Sequence, residues 1–415
     1  MARIPITHKT ANRYGRGYVP TADTNHNLFY IFIFSRAGVE EKISRNKLRA
    51  MATLSFLIAA PLVTALPAPQ LAAVLCSGTS CTLQEYHASP WTARANLTLT
   101  GNITGWSTLT VTSNKDAKDE EAAFAAGFIE GALTTSLIDM EWLNLQIDVS
   151  DAAMKFVLAN NAYVRGKAAQ YAPTDPYWSS VGNVYSQYDG MVAGYKAGGG
   201  TALTPLQILY IGLQVELGDI EKAVNASARP DWAGMSASTL RDYIFMHSHC
   251  SAMIKVLPDL SELYAAHNTW FAYGDMGLRL WKVYNLPFSS SHASTVSFPG
   301  YPGKIAGIDD FYVTSQKLVV IETTNSVFTP SLFDQVVVSS VPYWARVTAA
   351  NRLAVDGPSW HTAFYKYNSG TYVRDLRSIS KPCACPCPCP CMCPRCSILG
   401  YASRAANVPC SSPLV

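Results

Sequence analysis

A chain of 415 residues in which 49% of side chains are hydrophobic and only 15% charged can bury a large core and is not globally disordered. Its formal net charge of +3 is small for that length, and no dense Lys/Arg stripe with interleaved aromatics runs through it. Both features argue against nucleic acid as a partner.

Residues 1–50 are basic, and their one apolar run, Leu28 to Phe34, is much too short to span a bilayer. They read as an upstream extension. From Met51 to Ala65 an apolar stretch ends in small residues, with Lys47 and Arg49 just before it. This is the pattern of a secretory signal, so 51–68 is assigned as a signal peptide and translation is expected to start at Met51; a buried helix or strand is the plainer alternative. The sequons at Asn96, Asn102 and Asn225 fit export, which points to a secreted or lysosomal protein. Cys76 and Cys81, five positions apart, are then a disulfide candidate.

Residues 82–115 read as short strands and turns, alternating through Leu97, Leu99, Ile103, Leu109 and Val111. Asp119, Glu120 and Glu121 open a helix running to Leu133, since acidic side chains favour a helix N-terminus. Glu130 within it is either functional or simply exposed. Further helices are expected over 148–172, 204–223 and 236–246, separated by loops at Pro173–Pro176 and Gly198–Gly200.

Cys250 stands alone among eleven cysteines, far from the pair near the front and from the eight between Cys383 and Cys410. A solitary thiol flanked by His247 and His249 is a candidate nucleophile, with a buried inert cysteine as the alternative. Beyond it the texture turns to strands, over 251–256, 270–273, 280–284, 296–298 and 318–324, before a helix returns over 342–353. Mostly helices precede Cys250 and a sheet is expected to begin at it, giving an α+β or layered architecture. From Pro382 to Cys396 cysteine alternates with proline, a pattern that resists helix and central strand and lacks the paired spacing of a zinc site. No metal and no cofactor is expected.

Seven strings fall into one pattern: Ala125 to Thr134, His249 to Lys255, His267-Asn-Thr-Trp270, Asp309-Asp-Phe-Tyr312, Ile321-Glu-Thr-Thr324, Ala350-Asn-Arg-Leu-Ala354 and Tyr367 to Tyr372. Together they resemble the phospholipase B-like family, which includes lamina ancestor type proteins. The resemblance implies the αββα sandwich of N-terminal nucleophile hydrolases and self-cleavage between His249 and Cys250. It further implies an N-terminal fragment of 69–249 that stays bound to a nucleophile-bearing one beginning at 250–372. It makes Cys250 the nucleophile, its freed α-amine the base, and His267 and Trp270 pocket residues. Thr323 and Thr324 end an apolar strand, where alternation lets only one face the nucleophile. Asn351 and Arg352 are expected to be structural. The implied activity is phospholipid deacylation, with peripheral membrane contact; the rivals are a lipid-amide or peptide amidase and a catalytically defective binding glycoprotein. After Tyr372 the family pattern stops, as after a frameshift or retained intron. The tail, 373–415, offers no counterpart for the oxyanion-hole Asn and Arg expected there.

Overall fold

Buried Ala93, Ala95 and Leu97 alternate along one strand and Leu109 and Val111 along its antiparallel neighbour, as a period of two requires when one face is covered. These are β3 (Ala93–Thr98) and β4 (Ser107–Ser113), preceded by a hairpin of β1 (Gln70–Ser77) and β2 (Ser80–Gln84). Cys76 and Cys81 lie directly opposite in that hairpin and are disulfide-bonded. The computed structural model describes residues 67–247, 250–259, 261–324, 327–372, 376–380 and 400–401. The signal-like segment Met51 to Ala65 and the Cys/Pro run Pro382 to Cys396 lie outside the described residues.

Six helices follow: α1 (Asp119–Leu133), α2 (Thr135–Leu145), α3 (Asp151–Tyr171), α4 (Pro176–Ala197), α5 (Pro205–Val224) and α6 (Ala237–His247). Ser150 caps α3, Asp175 caps α4, and Thr204 with Gln207 forms a capping box on α5. The expected helices correspond to α1, α3, α5 and α6. No helix was expected over α4, and the reason is that its wide buried face mixes Ser180, Asn183, Gln187, Gly190 and Gly194 with the apolar residues, leaving no clean apolar stripe to recognise.

Glycines set how α1 meets α4. A Cβ at Gly127 would stand 1.8 Å from the Gln187 carbonyl oxygen, and one at Gly190 would stand 2.0 Å from that of Phe124. Gly131 and Gly194 repeat the contact one turn on, so the two backbones touch directly. Glu130, left open between function and exposure, is fully buried; its Oε1 accepts from Lys282 Nζ and its Oε2 from the Tyr284 hydroxyl, both at 2.6 Å.

After Cys250 come β5 (Ser251–Val256), β6 (Leu263–Asn268), β7 (Leu280–Asn285), β8 (Thr295–Gly300), β9 (Phe311–Thr314), β10 (Leu318–Glu322), then helices α7 (Tyr343–Leu353) and α8 (Gly357–Tyr365), and strands β11 (Leu376–Ser380) and β12 (Gly400–Tyr401). The main sheet runs β2-β1-β3-β4-β7-β8-β9-β10-β11-β12, antiparallel except where β7 lies parallel to β4. A strand, β5, does begin directly after Cys250 as expected, but it pairs with β6 apart from the main sheet. Strands on both sides of that residue build it, because six helices and a hairpin fill the crossover between β4 and β7.

Residue parity divides the layers. Leu280, Tyr284, Tyr312, Leu318 and Val320 face the helices, whereas Trp281, Phe311, Val313, Val319 and Ile321 face a two-stranded sheet of β5 and β6. The order is helices, large sheet, small sheet: a mixed α+β fold. The strand expected over 270–273 is instead a connection leading into a 3-10 turn at Tyr273–Met276, where Gly274 packs on the Asn144 carbonyl and Asp275 is buried beside Lys304.

Gly190→Ala should cost about 3 kcal/mol, because neither backbone can retreat from the new methyl. Gly212→Ala in α5, where nothing lies within 4 Å, should instead gain about 0.5–1 kcal/mol. Urea midpoints of the two variants test both signs.

Candidate active site

Antiparallel pairing of β5 with β6 sets Ser251 opposite Asn268 and Ala252 opposite His267. Continued by one residue, that register brings Cys250 to Thr269, and the main-chain N–H of the next residue, Trp270, donates to the Cys250 sulfur. Cys250 is a free, partly buried thiol with φ at 71°, a left-handed conformation costing a non-glycine residue about 1–2 kcal/mol. Among the described residues five other non-glycines share a positive φ, and two of these, Asp310 at 47° and Tyr372 at 57°, belong to the same cluster. Half of the positive-φ non-glycines thus gather at one place, as strain does at functional sites.

Three acids surround the thiol. Asp309, Asp310 and Glu322 are all buried, and their charges act on Cys250. Burial first, then Asp310, Glu322 and Asp309, push the Cys250 thiol far above its ordinary range, against the lowering effect of the Trp270 N–H. The hydroxyl of Tyr372 donates to Asp310 Oδ2 at 2.5 Å, Tyr343 also donates to Asp310, and Tyr301 donates to Asp309 Oδ2 at 3.0 Å. Burial pushes Asp310 up to about 7, with Asp309 adding to the rise, while the tyrosine hydroxyls and Glu322 oppose it. A proton is thereby kept among hydrogen-bonded carboxyls that cannot all ionise together.

His267 is 4% exposed, and its Nε2 lies 2.7 Å from the Glu322 carbonyl oxygen. A carbonyl only accepts, so Nε2 carries the proton and Nδ1 the lone pair. Burial lowers its pKa to about 4, so the imidazole is neutral. Trp270 meets Cys250 through its main chain; its ring is half exposed. Thr323 and Thr324 are both partly buried and follow the end of β10, so strand alternation does not sort them. The Thr324 hydroxyl lies 2.9 Å from both Glu322 carboxylate oxygens. His249 lies outside the described residues. Asn102 and Asn225 are exposed and Asn96 is half-buried.

Sequence reasoning gave no role to Asp309, Asp310, Glu322, Tyr301, Tyr343 or Tyr372. An acid closing the all-buried strand β10, and two adjacent acids entering β9, were the available signals. Asn351 and Arg352 do serve the packing: Asn351 Oδ1 accepts from the Trp360 indole at 2.7 Å, and Arg352 Nη2 donates to Gln187 Oε1 at 2.6 Å. Among the described residues no three His, Cys, Asp or Glu side chains are placed to hold a metal ion. The cluster thus combines a nucleophilic atom, a neutral imidazole, a shared proton and local strain.

The family model for phospholipase B matches residues 93–378, which spans both sides of Cys250. The chain belongs to the phospholipase B family. Phospholipase B-like protein B of Dictyostelium discoideum is 39% identical over 280 residues, 65% of this chain and 48% of that protein. Phospholipase B of Crotalus adamanteus is 33% identical over 284 residues, covering 65% and 51%, and phospholipase B-like 1 of Homo sapiens is 32% identical over 296 residues, covering 66% and 52%. The chain spans about half the length of these phospholipase B relatives.

Two groups of the site couple stability to pH with opposite signs. His267 binds its proton near pH 4 when folded but near 6.5 when unfolded, so its contribution is whole above 6.5 and is lost as pH falls toward 4. Asp310, raised from 3.8 to about 7, contributes fully below 3.8 and loses that contribution as pH rises through 7. Acidification from about pH 6.5 to 4.5 should therefore stabilise His267→Gln and destabilise Asp310→Asn, each by about 1 kcal/mol per pH unit. Urea unfolding across that range measures the two slopes.

Proposed function

We propose that this chain is a phospholipase B-like hydrolase that cleaves its own backbone before Cys250 and then deacylates phospholipids through a thioester on that residue. The observation carrying the reading is the strained Cys250 main chain beside the acids. The torsion φ of residue 250 is defined by the peptide bond to His249. Cutting that bond removes the torsion and its cost, so strain favours cleavage there.

In the first step the Cys250 sulfur attacks the His249 carbonyl carbon. The carbon–nitrogen bond breaks, the Cys250 nitrogen takes the proton, and water opens the thioester to free the His249 carboxyl. The new α-amine stands two bonds from the carbon bearing the thiol. As a base it takes the thiol proton, and as an ammonium it offsets the Asp309, Asp310 and Glu322 charges that otherwise suppress the thiolate. Neutral His267, whose Nε2–H is given to the Glu322 carbonyl, offers an Nδ1 lone pair suited to accept from and orient water without adding charge.

Substrate attack transfers the acyl group to sulfur, with the alcohol leaving, and water releases the fatty acid. In the αββα sandwich of this class the small sheet beginning at Cys250 would be one of two central layers. The proposed setting is secreted or lysosomal, since the Cys76–Cys81 disulfide suits an oxidising compartment and the phospholipid would be met at a membrane surface. Among the described residues no helix is long and apolar enough to cross a membrane.

Cys250→Ala should leave the chain uncut in an intact-mass spectrum and abolish fatty acid release from phosphatidylcholine vesicles. Wild type should give two associated fragments and release fatty acid. An uncut wild type that still hydrolyses the vesicles would sink the mechanism, and release from N-acyl amides alone would turn the reading to an amidase.

A further inference from the structure

Helix α7 buries two arginines, and only one has its donors matched. Arg346 gives Nε to the Val341 carbonyl, Nη1 to that of Phe364 and Nη2 to the Ser369 hydroxyl. Arg352, 3% exposed, gives Nη2 to Gln187, and its Nη1 has no partner among the described residues. Its ring-facing contact is Phe288, 4.9 Å away, and no carboxylate forms a salt bridge with it among the described residues. Asp119, whose charge reaches Arg352, spends its oxygens on Ser289 and Ser290.

Two buried amides leave further donors unused. Asn351 commits Oδ1 to the Trp360 indole and leaves Nδ2 without a partner; Gln187 commits Oε1 to Arg352 and leaves Nε2 without one. Indole and guanidinium nitrogens only donate, so neither amide can be turned over to offer its oxygen instead. Three side chains exposed by 3% or less therefore carry donors with no acceptor. Asn351 and Arg352 also line a small cavity against Tyr284, Phe298 and Tyr312, with room for a single group of about water size.

We propose that this cavity binds one small monovalent anion of the halide class, held by Asn351 and Arg352 between α7 and the main sheet. A water molecule would accept from these donors, and Ser294 and Thr348 also line the cavity to take its hydrogens, but it would leave the buried guanidinium charge uncompensated. A halide satisfies donors and charge together. Burial lowers Arg352 to about 10, the direction expected of a cation awaiting a counter-charge.

The test melts the full chain in sodium chloride, sodium bromide and sodium gluconate at equal ionic strength, gluconate being too large to enter. Chloride and bromide should raise the midpoint saturably by about 2–5 °C and gluconate should not. Gln187→Glu places a fixed carboxylate where the amide now contacts Arg352 and should erase the difference between the salts. Crystals grown in bromide should show an anomalous peak beside Arg352. Equal melting of wild type in chloride and gluconate would overturn the proposal, as would a bromide-grown crystal with water and no anomalous signal in the cavity. Neither of those measurements depends on the variant folding.

Discussion

The direct backbone contact of α1 with α4 is the constraint on which the rest of the molecule depends. With glycines at four facing positions the helices come closer than any side chain permits, so α1 can lie on β1, β3 and β4 while α4 lies on α1 and still reaches α7. That closeness is transmitted. α7 presents Tyr343 to Asp310, and Asp310 is one of the acids around Cys250. A helix pair separated by ordinary side chains would displace α7 outward, and the tyrosines that hold the Asp310 carboxyl would lose their register.

Close helix packing also dictates how charge is handled inside. Lys282 on β7 is fully buried and ends between Glu130 of α1 and the Lys304 carbonyl, each 2.6 Å from its Nζ. Lys304 in turn pairs with Glu141 at 2.6 Å and lies 3.6 Å from Asp275. Such pairs recover their desolvation cost only when nearly every lone pair and proton is used, and removing one partner from a buried pair typically costs about 3–5 kcal/mol. They stabilise less than an apolar core would. What they supply is uniqueness, since Lys282 ties β7 to Glu130 of α1 at one height, and Lys304 draws Glu141 of α2 and Asp275 to one place.

Elements with plain local signals were readable in the sequence: α1 from its acidic start, α3 and α5 from the Pro and Gly loops beside them, β3 and β4 from alternation, β10 from its apolar run. α4 was not, because polar residues and glycines among its buried positions blur the stripe that marks an amphipathic helix. Nor was the placement of β5 and β6 in their own sheet, since strand pattern reports which face is covered and not by what. At the site, Cys250 was conspicuous because it stands alone. Asp309, Asp310 and Glu322 were not, because an acid in a sequence looks solvated until the fold buries it.

The same burial bears on the self-cleavage proposed for Cys250, a reaction that would happen once and change its own surroundings. In the uncut chain Cys250 is neutral, desolvated and faced by Asp309, Asp310 and Glu322, a setting that works against a free thiolate. In the proposed cleavage its nucleophilicity would come from proton transfer during attack, and the left-handed main chain would supply part of the driving force. A peptide nitrogen carries no charge, but the amine it becomes does. Under the proposed cleavage, the acids that oppose the thiolate beforehand would favour an ammonium afterwards, so one arrangement of carboxyls would restrain the uncut chain and steady the new terminus.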